Sequence, residues 1–156
     1  TAWHGAGPRG LASAAEAAAC PTATMSAATA TVACEIFNRD PLLNWAGFYR
    51  VVAPGLLKVG PYQGSHGCLS IPFDRGVCGR AARERRTQRV DDVREVADHI
   101  ACSSTTLSEL VVPILDRDGS VRAVLDLDAE AVAYFSGADA KAMESLMQWL
   151  GERYFP

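Results

Sequence analysis

Two turn signals constrain this chain more than any other feature. Pro54-Gly55 and Asp118-Gly119 each stand between runs of β-branched and aromatic residues. WAGFYRVV (45–52) and LLKVG (56–60) flank the first, and ELVVPIL (109–115) and SVRAVLDLD (120–128) flank the second. Such pairs predict hairpins, and hairpins build antiparallel sheets. Gln88–Val90 reads as a further short strand, and Pro113 inside ELVVPIL argues for an edge or a bulge. Helical periodicity appears at 25–38, with Met25, Thr29, Val32, Ile36 and Phe37 near one face. It returns at 77–86 and at 136–153, where Ala140, Met143, Leu146, Met147 and Leu150 share a side. Asp91-Asp92 suits a helix start, with Val93 and Val96 inward. The predicted class is therefore α+β, an antiparallel sheet with helices packed on one face.

The rest of the chain punctuates this plan. Residues 1–10 read as a loose tail and 11–20 as an Ala-rich helix that Pro21 ends; Asp40-Pro41 marks a later boundary. Residues 61–76, rich in Gly and Pro, and residues 98–108 show no period and read as long loops. Loops of that length in a compact domain usually carry function. No internal repeat is present.

Composition excludes several function classes. The 156 residues are 49% hydrophobic and 21% charged, ordinary values for one folded domain. A net charge of −3 argues against a nucleic-acid partner. Arg80, Arg83, Arg85 and Arg86 are interleaved with Ala and Glu and read as a solvated helix face. No apolar run is long enough to span a bilayer, and the stretch 10–33 lacks the Leu, Ile and Phe block of a secretory signal. Five cysteines, Cys20, Cys34, Cys68, Cys78 and Cys102, are an odd count that does not suit a secreted disulfide scaffold. A cytoplasmic location is expected.

Cys68, Cys78 and Cys102 fall in or beside the two long loops. Three readings compete. They are buried small residues, as Cys34 is expected to be in its helix. They are metal ligands, a Cys3His zinc set with His66 or His99, although C-x9-C-x23-C lacks the usual close pair. Or they are redox thiols. Cys78, in Gly76-Val77-Cys78-Gly79, stands where a helix begins, and backbone N–H groups there favour a thiolate. Cys102 precedes Ser103 and Ser104, which offer donors to an anion. Glu109, Asp126 and Asp128 supply acids, and Asp126 and Asp128 share one strand face, opposite Leu125 and Leu127. Paired carboxylates mark either a solvated sheet face or a site that receives a cation such as an ammonium group.

The stretch GPYQGSHGCLSIPFDRGVCGRAARERRTQRVDDV (60–93), with NWAGFYR at 44–50, HIAC at 99–102, SELVVPIL and VLDLD, resembles the free methionine-(R)-sulfoxide reductases. These are GAF domains that act as enzymes. The resemblance implies a GAF-like domain over 25–156, preceded by the tail and Ala-rich helix of 1–24. It implies that Cys102 is the nucleophile, becoming a sulfenic acid as free methionine leaves, that Cys68 resolves it to a disulfide, and that Cys78 is an accessory thiol. It implies thioredoxin as reductant, no cofactor and no metal, and a homodimer formed through the N- and C-terminal helices. Glu109, Asp126 and Asp128 then receive the substrate's ammonium group, and Trp45 and Tyr49 receive its S-methyl group. The sequence departs from the family at Ser103, where Asp often stands, and at Val96-Ala97-Asp98, where Pro-Gly is usual. A ligand-sensing GAF module and a zinc-stabilised interaction domain are the alternatives.

Overall fold

The hairpin turns form where the glycines allow them. Gly55 and Gly119 both take φ near +75°, a left-handed conformation open to glycine at little steric cost. The Asp116 side chain closes the second turn by accepting from the N–H groups of Asp118 (3.0 Å) and Ser120 (2.8 Å). In the computed structural model, which describes residues 24–100 and 102–155, these turns join strands of one antiparallel sheet. The Ala-rich helix expected at 11–20, and Cys20, lie outside the described residues.

The strands are β1 (Leu43–Ala53), β2 (Leu56–Gly64), β3 (Ser70–Pro72), β4 (Gln88–Val90), β5 (Ser108–Leu115) and β6 (Val121–Ala129), in the sheet order β3-β2-β1-β6-β5-β4. Helix α1 (Met25–Arg39) precedes β1, α2 (Gly76–Glu84) lies between β3 and β4, and α3 (Gly137–Tyr154) follows β6. Thr24 caps α1 by accepting from the Ala27 N–H, and Ser136 and Asp139 form a capping box at the start of α3. A 3-10 turn at Val93–Glu95 is capped by Asp92, and Val93 points inward as expected.

Two of these placements differ from expectation. The predicted loop 61–76 is partly strand, because β2 runs on to Gly64 and β3 occupies 70–72. Tyr62 pairs with Gly47 and Val59 with Tyr49, so Gly60 and Pro61 together stand opposite Phe48. That bulge absorbs a proline that a regular ladder would reject. Cys34 is half-buried rather than core, and the Asn38 side chain donates to its carbonyl and lies 3.2 Å from its sulfur. Pro113 falls where expected: β4 pairs β5 only from Glu109 to Val111, so Pro113 occupies the unpaired edge of β5.

The sheet is buried on both faces. Helices α1 and α3 cover one, packing Val32, Ile36, Met147 and Leu150 onto Phe48, Leu110, Val112, Leu125 and Leu127. On the other, α2 and the loops place Val77, Cys78, Ala81 and Ala82 against Trp45, Tyr49, Leu57, Val111 and Val124. This explains why ELVVPIL reads as a continuous apolar run rather than an alternating one: both its faces leave water. None of the described helices is long and apolar enough to cross a membrane.

Helix α3 approaches the sheet closely at Gly151, where a β-carbon would collide with the Leu115 carbonyl. In an open helix Gly→Ala gains about 1 kcal/mol, whereas forced overpacking costs roughly 1–3 kcal/mol. Here the collision is with backbone, so overpacking wins. Gly151→Ala is expected to lower the melting temperature by roughly 2–8 °C, read by calorimetry; a rise would show that the helix docks elsewhere.

Candidate active site

The second face of the sheet carries the chemistry. On β6 the side chains of Asp126 and Asp128 point away from Leu125 and Leu127, as the strand period requires. The β5–β6 register sets Glu109 directly across from Asp128 and Val111 across from Asp126. Gly47 of β1 faces Asp126 from the other side and Trp45 faces Asp128. A β-carbon at Gly47 would meet the Trp45 ring and the Tyr62 side chain, so glycine keeps this floor low.

Three carboxylates thus converge in the interior. Glu109, Asp126 and Asp128 are 6%, 5% and 8% exposed, which excludes a solvated sheet face. Burial first, then its neighbours Asp128 and Glu109, hold Asp126 protonated well above the usual carboxylate range. Burial and then Glu109 do the same to Asp128, partly opposed by a hydrogen bond from Thr106. The ion pairs formed by the described residues bring only His99 to this group, its Nε2 lying 3.5 Å from a Glu109 oxygen.

The cysteines complete the cleft. Cys68 and Cys102, 34 residues apart in sequence, are joined in a disulfide with a Cα–Cα separation of 5.2 Å, ordinary for such a bond. The pairing implied by the resemblance is the one present. It also removes two ligands from the Cys3His zinc alternative. Cys78 is a free thiol, buried in the first turn of α2, with its sulfur 3.9 Å from Glu109 Oε1. The expectation that the helix start makes Cys78 a thiolate does not hold. Burial pushes the thiol up, a negative charge on any of the neighbouring Asp126, Glu109 or Asp128 would push it further, and together they outweigh the helix N-terminus.

The surrounding loops are pinned individually. Asn44, at the start of β1, donates to Thr105 Oγ1 (2.8 Å) and Thr106 Oγ1 (3.1 Å), which holds the segment after Cys102. Gly76, at φ +72°, donates its N–H to the Asp98 carbonyl, tying the segment before Cys102 to α2. Together they frame a cleft of about 370 Å³, counting its open mouth, lined by Cys78, His99, Cys102, Glu109, Asp126 and Asp128 among others.

Trp45 and Tyr49 stand beside the cleft rather than in its lining. Trp45 stacks on Tyr62 with ring centroids 4.2 Å apart, and a β-carbon at Gly67, next to Cys68, would collide with its indole. Tyr49 is buried near Asp126, Cys78 and Asp128, and that burial and charge raise its hydroxyl's pKa. His99, Asn44, Thr106 and Gly47 are site residues that the sequence reading did not assign to substrate. His99 lies inside HIAC and is also a candidate zinc ligand, and Asn44 and Gly47 lie inside NWAGFYR.

The family model for the GAF domain matches residues 22–151. The chain is 41% identical over 112 residues to the free methionine-R-sulfoxide reductase of Saccharomyces cerevisiae, covering 70% of this chain and 62% of that one. It is 36% identical over 115 residues to the Escherichia coli enzyme of the same name, covering 74% and 68%. The solved structure of the Neisseria meningitidis free methionine-R-sulfoxide reductase with its substrate superposes with a TM-score of 0.82 at 37% identity, covering 94% of this chain and 84% of that one.

The raised carboxylates make a prediction with a definite sign. The folded state keeps a proton on Asp128 that the unfolded chain loses above about pH 3.9. The stability this gives is fully present below that pH and is lost as pH rises through the folded value. Asp128→Asn keeps the shape and removes the charge. It is expected to melt roughly 3–6 °C above the parent at pH 7.5, from about 1–2 kcal/mol, with the gap closing toward pH 4. A variant that melts lower at pH 7.5 would contradict the buried, repelling trio. With its matching model, relatives and superposed enzymes, the chain belongs to the GAF-domain family of free methionine-R-sulfoxide reductases.

Proposed function

We propose that this protein reduces free L-methionine (R)-sulfoxide to methionine with its own thiols. One observation carries the reading: a Cys68–Cys102 disulfide at the mouth of a cleft whose floor is three buried carboxylates. An ammonium group suits that floor: its positive charge favours ionisation of buried carboxyls that otherwise keep their protons. A methionine residue inside a chain has no such group.

In this reading the Cys102 thiolate attacks the sulfoxide sulfur. The S–O bond breaks, the oxygen passes to Cys102 as a sulfenic acid, and methionine leaves. The departing oxygen takes up a proton, which a carboxyl group kept protonated by burial, such as Asp126 or Asp128, is suited to hold. The Cys68 thiol then displaces water from the sulfenic acid and forms the disulfide. A dithiol of the thioredoxin type takes the disulfide's place by exchange, restoring two thiols. Cys78, held as a thiol by its surroundings, is an accessory group lining the site. Trp45 and Tyr49 are assigned to the S-methyl group in the reduced form, since sulfur and methyl groups pack well on aromatic faces. The reading includes a homodimer through α1 and α3 and a cytoplasmic setting with its reducing dithiols.

Thioredoxin-coupled NADPH oxidation tests it. Turnover is expected with the free R epimer and not with the S epimer. Cys102→Ser should lose activity by at least about a thousandfold, on the scale of removing a nucleophile. Cys68→Ser should release one equivalent of methionine and stop, leaving a sulfenic acid that dimedone captures. Full activity in Cys102→Ser would refute the assignment.

A further inference from the structure

Cys78, Glu109 and Asp126 have a second property that their role around substrate does not use. One ligand atom from each, a thiol sulfur and two carboxylate oxygens, lies within 4.8 Å of the other two. All three residues are buried. They come from three elements, α2, β5 and β6, so the arrangement is fixed by the fold and not by one mobile loop. The Asp126 carboxylate also presents an oxygen, Oδ1, that is buried and has no hydrogen-bond partner. A buried oxygen left unpaired in a cleft is costly unless something positive meets it.

We propose that this trio is a binding site for a borderline divalent cation of the zinc type, and that the cation competes with substrate for the same carboxylates. One sulfur and two oxygens leave a fourth position open, the pattern of three protein ligands and an exchangeable one that zinc accepts. The sulfur ligand and the small number of donors select against magnesium and calcium, which require more oxygens. His99, 3.5 Å from the other Glu109 oxygen, holds that carboxylate from behind, as partners of metal-bound carboxylates commonly do. Coordination replaces the Cys78 thiol proton, which passes to solvent. The Cys68–Cys102 disulfide leaves this set intact, since neither cysteine belongs to it. The oxidised protein therefore binds the metal. The site is distinct from a zinc centre built on all three cysteines. The competition rests on the proposed function; the binding does not.

Cobalt(II) titration of the whole protein in its disulfide form tests both parts. One equivalent is expected to bind with a thiolate-to-cobalt charge-transfer band and the visible absorption of four-coordinate cobalt, and zinc should displace it. Cys78→Ser should abolish the charge-transfer band, and Asp126→Asn should weaken binding at least tenfold. Cys34→Ser, far from the cleft on α1, should change neither. Asp126→Asn keeps the sulfur, so the two variants separate a lost ligand from a lost fold; circular dichroism checks that each is folded. Free methionine chelates cobalt in solution as any amino acid does, so it is compared with alanine at the same concentration; methionine should raise the apparent dissociation constant further than alanine does. Absence of the charge-transfer band, or its survival in Cys78→Ser, overturns the site. The band with no effect of methionine beyond that of alanine would uphold the metal site and refute these carboxylates as the receptor of methionine's ammonium group.

Discussion

The rest of this structure depends on three carboxylates held together inside a sheet. Register alone sets Glu109 beside Asp128, and strand period sets Asp126 on the same face. Taking charged carboxylates from water costs several kcal/mol each without a partner. Among the described residues, the ion pairs bring one imidazole to them, that of His99. The cost is offset elsewhere: two apolar layers cover the sheet, and side chains such as Phe48, Leu110 and Leu125 are wholly buried, each contributing about 1.5–3 kcal/mol. The site is thus a strained polar floor supported by an ordinary core. A protein selected only for stability would not keep it.

The same floor decides the state of the thiol above it. A helix N-terminus lowers a cysteine pKa by a partial positive charge that fades within a turn. At Cys78 three nearby carboxylates act in the opposite direction with burial behind them, and they prevail. Cys68 and Cys102 sit farther toward solvent, both partly exposed. The cleft therefore divides its cysteines by environment: two in the disulfide at the mouth, one protonated within.

Much of this was legible in the sequence because each signal had a local cause. Glycine at 55 and 119 fixed the turns, the alternation in VLDLD fixed the face of the acids, and the stripe of Met143, Leu146, Met147 and Leu150 marked α3. Asp126 and Asp128 were readable as a pair, but whether they faced water was not. That depends on α2 and the loops folding across them, a long-range packing fact. The strand character of residues 61–64 was hidden because Gly and Pro argue against strands unless a bulge receives them. Asn44 and Gly47 stood inside the NWAGFYR motif, but the motif did not say what they do. Their roles are to pin a loop some sixty positions away and to leave room for Tyr62, and neither leaves a local pattern. The motif resemblance supplied what periodicity did not: the pairing of Cys68 with Cys102, which the structure contains.

The central claim is that the buried acids recognise an α-ammonium group, and acetylating that group tests it most directly. The measurement is kcat/KM for L-methionine (R)-sulfoxide against its N-acetyl derivative, with identical thiols, sulfur centre and reductant. The account predicts a loss of at least about a hundredfold for the acetylated substrate, the scale of leaving buried charges unpaired. Equal turnover of the two would mean that Glu109, Asp126 and Asp128 serve some other purpose, and the account would fail at its foundation.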